Sequence, residues 1–331
     1  MGLFEGRKIL VTGGSGFIAS NLCRRLLAEG ANLYVLTRYN SIIDGIRLSD
    51  LWDRLTPVEA DLRNLDALKR IQGIRPDIIY HFAAYNHVGD SFVNVSESMD
   101  TNARGTANLL ESCDGYERFI YISTSEVYGF QEQVPFSEDL RPFPISPYAV
   151  GKYAGELYAR MKWHVKSLPI VVLRPFNAFG PFQSPRAVIA EMILKCLAGT
   201  EIVATEGVQT RDFNYVENLV DGFVAAALRK EAIGEIINIG SGEDVSIRSI
   251  ILKIHQLTGS SSRLGIGELP YRPTEIWRMR ADNRKAKEIL GWSPRIGLDE
   301  GLEKSVNWYR NFSDLFSRTD SPLRKLCRND F

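Results

Sequence analysis

Thr124 and Glu126 close an apolar run, and twenty residues beyond Glu126 comes Ser146-Pro147-Tyr148-Ala149-Val150-Gly151-Lys152. A hydroxyl, a carboxyl, a phenol and an amine within reach of one another would serve proton transfer beside a carbonyl carbon. Ser146 is a good helix N-cap and Pro147 suits a first helical position, so Tyr148 and Lys152 share a face one turn apart. An ammonium beside a phenol lowers its pKa, which would make Tyr148 a base near neutrality. Tyr-x-x-x-Lys by itself says little, because Tyr158 and Lys162 repeat it on the same helix in a chain with thirteen tyrosines. Position separates the two pairs: Tyr148 opens the helix, whereas Tyr158 lies almost three turns further along and reads as plain structure.

A second cluster can hold an anion. Lys8–Val11 runs into Thr12-Gly13-Gly14-Ser15-Gly16-Phe17-Ile18-Ala19, followed by a helical pattern through Leu27. Gly13 permits the tight turn, Gly16 lets backbone approach a pyrophosphate, and Ala19 allows close helix–strand packing. The helix that opens at Phe17 and Ile18 offers free N–H groups to the phosphates, so the turn around Ser15 reads as a dinucleotide site. The end of the second strand bears on the choice of nicotinamide cofactor. It reads Val35-Leu36-Thr37-Arg38-Tyr39-Asn40, with no carboxylate before Asp44, and Arg38 favours the 2′-phosphate of NADP over the free ribose of NAD. Asp61-Leu62, after the third strand, is placed to meet the adenine.

The elements that must position these groups are short β-branched runs alternating with helical patterns, which predicts βαβ units and a parallel sheet. Strands are expected at Lys8–Val11, Leu33–Thr37, Val58–Ala60, Ile78–Phe82, Phe119–Ser123, Ile170–Leu173 and Ile236–Ile239. Nearly continuous apolar runs suit strands covered on both faces. The fold class is therefore α/β: a Rossmann-like, doubly wound parallel sheet with a smaller C-terminal α/β substrate-binding lobe. Residues 1–179 and about 213–245 form the dinucleotide-binding domain, and about 180–212 and 246–311 the smaller lobe. Residues 312–331 read as a polar tail. Forty basic and forty acidic residues cancel, so neither nucleic acid nor a membrane surface is expected as a partner, and any bound anion needs a local site. Cys23, Cys113, Cys196 and Cys327 form no Cys-x-x-Cys pair, and His81, His87, His164 and His255 are scattered. No metal site is expected, and reduced thiols fit the cytoplasm. No signal peptide or membrane-spanning run is read.

Taken jointly, the motifs resemble the extended short-chain dehydrogenase/reductases that act on nucleotide sugars. The resemblance runs from about Lys8 to Arg310. It rests on the glycine turn, His81-Phe82-Ala83-Ala84, Thr101-Asn102-Ala103-Arg104-Gly105-Thr106, Tyr148/Lys152, Arg174-Pro175-Phe176-Asn177, Arg211-Asp212-Phe213 and Tyr271-Arg272-Pro273-Thr274-Glu275. It implies that Thr124 hydrogen-bonds the sugar O4, that Tyr148 takes its proton as hydride leaves C4, and that Lys152 binds the nicotinamide ribose. It adds Ala83, Ala84, Asn102, Ser123 and Pro175 to the cofactor site. Asn177, Arg211 and Arg272 would hold the diphosphate, with His87, Arg186 and Val188 also in the substrate site. The Thr124-Ser125-Glu126 triplet is similar to that of GDP-mannose-type and N-acetylglucosamine-type 4,6-dehydratases, where Glu126 would remove the C5 proton before water leaves C6. Glucose-type dehydratases have Asp where Ser125 stands, so the acid for water loss is unassigned. A 4-epimerase, a glucuronate decarboxylase, a 4-keto reductase and a non-catalytic NADP sensor are the alternatives. The resemblance also implies a tightly bound, recycled NADP or NAD, a nucleoside-diphosphate sugar as substrate, and a homodimer built on helices at 97–113 and 147–165.

Overall fold

The structure is a computed structural model that describes residues 2–38, 46–272 and 275–312. Tyr39, Asn40, Asp44, Pro273, Thr274, Cys327 and the expected tail from residue 313 onward lie outside the described residues.

Seven parallel strands form the main sheet: β1 (Lys8–Thr12), β2 (Asn32–Thr37), β3 (Thr56–Glu59), β4 (Ile78–His81), β5 (Arg118–Ile122), β6 (Ile170–Pro175) and β7 (Ile236–Ile239). Their spatial order is β7-β6-β5-β4-β1-β2-β3, so the direction of winding reverses between β1 and β4. Alternate side chains explain the unbroken apolar runs. Ile9 and Val11 of β1, with Ile78 and Tyr80 of β4, face one core, whereas Leu10 and Ile79 face the other. The first core is closed by α1 (Phe17–Ala28) and by a later helix over Val216–Leu228. The second is closed by the helical rod Val95–Met99, Asp100–Arg104 and Gly105–Ser112, whose middle segment is a π turn, and by the long helix Pro147–Lys166, here α2. All seven sequence-predicted strands are present, Ile236–Ile239 with the expected bounds and the others with one or both ends shifted by one or two residues.

A separate apolar cluster lies over the carboxyl ends of the strands. It joins Phe179, the helices Val188–Ala198 and Ile247–Thr258, and Leu302, Val306 and Tyr309 of the helix Leu298–Asn311. Short strands stitch it together: Asn177–Phe179 beside Phe213–Tyr215, Ile202–Ala204 beside Leu264–Ile266, and Thr210–Arg211 between Val245–Ser246 and Arg278–Met279. Within the span 246–311 assigned to the smaller lobe, Ala286, Leu290 and Trp292 join the main-sheet core instead. Apolar spacing in the sequence does not show this, because a short segment carries no mark of which of two cores it enters. No helix among the described residues is long and apolar enough to cross a membrane.

Candidate active site

The switch point between β1 and β4 opens into a cleft of about 350 Å³, where an open α/β sheet binds its ligand. Gly13, Ser15 and Gly16 line the cleft together with Arg38, Asp61 and Leu62, and with Ala83 and Ala84 after β4. Gly13 has φ +68°, and a Cβ there would stand 2.7 Å from the Ala83 backbone, so the turn and the segment after β4 touch directly. Gly16 caps α1 without any side-chain hydrogen bond to the first turn, and the N–H groups that open at Phe17 and Ile18 are available to an anion. These residues fit a dinucleotide.

Several expected cofactor residues act from behind the cleft wall. Asn102 is fully buried; its Oδ1 accepts from Tyr85 N at 2.7 Å and its Nδ2 donates to Tyr85 O at 3.1 Å. It positions the loop after β4 instead of lining the cleft. Ser123, also buried, donates its hydroxyl to Glu156 at 2.7 Å. Pro175 ends β6, buried and paired with Ile239. Asp61 is held by Arg63 through contacts of 2.7 to 3.2 Å, and that guanidinium keeps its carboxyl below the usual range. Arg38 is mostly exposed and lies 3.7 Å from Glu97. Arg47, Arg63, Tyr85, Asn86 and Glu97 line the cleft without having been expected there. Their signal in the sequence is only that each follows or faces a strand end.

The groups expected to react assemble near the end of β5. Thr124 caps a 3-10 turn, Ser125–Tyr128, by accepting from Glu126 N at 3.2 Å, which sets Glu126 at the start of the turn. Ser146 caps α2 from Ala149 N at 3.2 Å with Pro147 next, as its sequence predicts. Tyr148 N–H also receives help from outside the helix, donating to Ser91 Oγ at 3.1 Å. Burial pushes the Tyr148 phenol up to about 12, with the Thr124 hydroxyl opposing the rise and Glu126 adding to it. Lys152, only 2% exposed, sits with its ammonium 4.5 Å from the centre of the Tyr121 ring. Burial brings its pKa down to about 7, opposed by Glu156. The expectation that the ammonium simply lowers the phenol is therefore corrected. Desolvation dominates both groups and favours the neutral form of each. The second pair, Tyr158 and Lys162, spends both polar ends on Glu111, at 2.6 and 2.9 Å.

Glu126 is partly buried, and burial raises its pKa against the pull of Arg211, with Glu275 adding to the rise. Arg211 pairs with Glu275 at 2.5 Å and donates to the Ile276 and Thr210 carbonyls. Its neighbour Asp212 is fully buried and accepts from Ser241 N and Oγ, Gly242 N and Ala281 N at 2.7 to 3.0 Å. That carboxylate anchors the Thr210–Arg211 strand to the loop after β7, and so aims Arg211. Ser125 is buried, and its hydroxyl donates to Met279 Sδ at 3.4 Å. At the outer edge His87 accepts from Asp90 N at 3.0 Å, and Arg186 grips Asp90 through two contacts of 2.8 Å. Burial together with Arg186 lowers the His87 pKa against Asp90, and the exposed Arg272 acts in the same direction. His87, Arg186 and Arg272 thus gather together, whereas Asn177 opens a short strand beside Phe213 and Val188 opens the helix that follows Arg186.

The family described as GDP-mannose 4,6 dehydratase matches residues 10–305. The chain belongs to the extended short-chain dehydrogenase/reductases, in the nucleotide-sugar epimerase/dehydratase family. A UDP-glucose 4-epimerase of Mycolicibacterium smegmatis is 33% identical over 314 residues, covering 92% of this chain and 99% of the relative. A dTDP-D-glucose 4,6-dehydratase of Bos taurus is 32% identical over 323 residues, covering 92% and 89%. Among solved structures, the UDP-glucuronic acid 4-epimerase of Bacillus cereus, in complex with UDP-glucuronic acid and NAD, superposes with a TM-score of 0.85 at 34% identity, covering 92% of this chain and 99% of that one. Relatives of similar identity thus carry out different reactions, and the cofactor named in that complex is NAD, which gives the NADP reading of Arg38 no support.

Proposed function

We propose that this protein is a nicotinamide-dependent nucleotide-sugar 4,6-dehydratase. The observation that carries the reading is Glu126: a carboxyl beside Thr124 and Tyr148, partly buried, with its pKa raised by its surroundings. A 4-epimerization needs only the alcohol-oxidising set, whereas elimination needs one more group to move a proton.

In this reading Tyr148 receives the proton of the sugar O4 while Thr124 orients that hydroxyl. Lys152 holds the nicotinamide ribose, and Arg211 and Arg272, with Asn177, hold the diphosphate by charge-assisted contacts. A nicotinamide held in the cleft would supply an acceptor for hydride from C4 and a donor of hydride to C6, and the positive charge of its oxidised form would favour the Tyr148 phenolate. Once C4 is a ketone, Glu126 removes the C5 proton. Because the Ser125 hydroxyl is engaged with Met279, Glu126 then delivers the same proton to the departing C6 hydroxyl; once hydride has added to C6, C5 takes a proton from Glu126 recharged by water, and Tyr148 releases the O4 proton to water. The surface Arg38 beside Glu97, and the NAD named in the solved relative, support NAD as the resident cofactor. Mass analysis of the cofactor released from purified protein tests this; NADP in its place would restore Arg38 to a 2′-phosphate role.

The second reading is a 4-epimerase, favoured by the identity shared with enzymes of that name. Incubation with a panel of GDP-, UDP-, dTDP- and CDP-sugars, followed by mass spectrometry, separates the possibilities. Loss of one water without added reductant is expected. An unchanged mass with altered retention means epimerase, loss of carbon dioxide means decarboxylase, and no change with any sugar removes the enzymatic reading.

A further inference from the structure

Arg174 belongs to a motif singled out in the sequence, yet no step of the chemistry uses it. It is the penultimate residue of β6, with 1% of its side chain exposed, and its partner Glu156 is fully buried. The guanidinium meets Glu156 through Nη2 at 2.6 Å and Nε at 3.1 Å, and its carbon lies 4.8 Å from the centre of the Tyr128 ring. Glu156 Oε2 takes a third contact, from the Ser123 hydroxyl at 2.7 Å. One buried carboxylate therefore ties together the ends of β5 and β6 and helix α2. Tyr148, Lys152 and Glu156 follow one another at four-residue spacing on α2, so the carboxylate lies on the same inward stripe as the reacting pair, one turn from Lys152.

A buried ion pair is a poor way to gain stability, since removing both charges from water costs about as much as their attraction returns. Here it sits beside a lysine that is itself buried and next to the residue that precedes Thr124. We propose that Glu156 is a positioning residue for the reaction: anchored by Arg174, it fixes Ser123 at the end of β5 and sets a negative charge beside the Lys152 ammonium. Burial alone drives Lys152 toward neutrality, and Glu156 is the group that opposes it. Arg174 meters that opposition by offsetting part of the carboxylate charge. The two members of the pair therefore act on Lys152 with opposite signs. His81 faces the same ammonium, is fully buried, and is held neutral by burial, so it adds no competing charge.

The inference rests on the proposed dehydratase reading for its consequence in turnover, but its test does not need turnover. Protein labelled with carbon-13 at the lysine side chains is titrated by NMR, with Lys152→Met to assign the signal. Glu156→Gln is expected to lower the Lys152 midpoint by about one pH unit, and Arg174→Gln to raise it. Because Glu156→Gln strands a buried guanidinium, the double variant Glu156→Gln/Arg174→Gln is measured alongside; it loses the carboxylate without orphaning the arginine and should also lower the midpoint. Glu156→Asp, which keeps the charge, should return most of the shift. In whichever variants turn over, the alkaline limb of the pH–rate profile should move with the NMR midpoint. A folded double variant whose Lys152 titrates as in the parent protein would overturn the proposal, as would single variants that shift it in the same direction. A parent protein inactive on every sugar but showing the opposed shifts would refute the dehydratase reading and leave the positioning role standing.

Discussion

In the proposed reaction Tyr148 and Glu126 divide the work of proton transfer, and their variants should fail at different stages. Tyr148→Phe removes the acceptor for the O4 proton, so neither sugar oxidation nor cofactor reduction should proceed, while the cofactor stays bound. Retained turnover in this variant would sink the assignment of Tyr148. Glu126→Gln keeps the oxidising set and loses the group that moves the C5 proton. Turnover should fall about 10²- to 10⁴-fold, while reduced cofactor builds up on the enzyme after substrate is added; its absorbance is the measurement, and absence of that build-up would place Glu126 in the first step. The pH profile carries a further expectation. Burial raises the Glu126 pKa, so the ascending limb, where its carboxylate forms, should lie above the ordinary glutamate value of about 4.3. The descending limb should follow loss of the Lys152 proton, which burial brings to about 7. In the protein with Lys152→Arg, a side chain that keeps its charge, the descending limb should move to higher pH or vanish, and an unmoved limb would assign it to another group.

At the scale of elements, α2 is the part on which most of the site hangs, and its glycines show how closely it is seated. A Cβ at Gly155 would stand 2.6 Å from the Tyr121 hydroxyl and 2.7 Å from the Asn102 carbonyl. Gly151 and Gly155 thus bring the helix into close approach with the chain's own π turn and with β5. Gly155→Ala should destabilise the fold by about 1–3 kcal/mol through overpacking, outweighing the gain of about 1 kcal/mol in helix propensity. Gly73→Ala, whose Cβ would meet nothing nearer than the Arg70 carbonyl at 3.7 Å, is the control and should be near neutral. Urea denaturation of the three proteins decides it, and equal midpoints would mean that α2 has room to shift. The same helix marks what a sequence can and cannot disclose. The seven strands and the Tyr148/Lys152 face were legible because short apolar β-branched runs and helix capping are local, written within a few neighbouring residues. Glu156 was not, since a carboxylate one turn past a lysine reads as an ordinary solvated pair until Ser123 and Arg174 arrive from two other strands. Asn102 was expected in the cofactor site and instead braces the Tyr85 backbone, while Asp212 was quoted as a motif member without a role, for its partners lie at Ser241, Gly242 and Ala281. The direction in which Lys152 shifts is likewise a matter of burial, which no spacing rule states.

For the whole molecule, the face of α2 turned away from the site is the open question of assembly. Val150, Leu157 and Met161 are 41%, 46% and 39% exposed and fall on one stripe, at spacings of seven and four residues. Val95 of the adjacent rod is 46% exposed, and Ala103 and Ala107 beside it are small and half-exposed, which leaves room for another helix to approach. An apolar stripe of this kind on a helix whose opposite face carries Tyr148 and Lys152 links assembly to catalysis, because whatever covers the stripe also stiffens the helix that holds the reacting pair. A second copy of the chain, packed about a two-fold axis so that two such helix pairs form a bundle, is the expected cover. The double variant Leu157→Glu/Met161→Glu places two carboxylates on that stripe without touching the site. Light scattering coupled to size exclusion should then report a dimer for the parent chain and a monomer for the variant, and the monomer should turn over more slowly with its cofactor still bound. A parent chain that is monomeric at micromolar concentration would end the dimer expectation, and the stripe would then require a different partner.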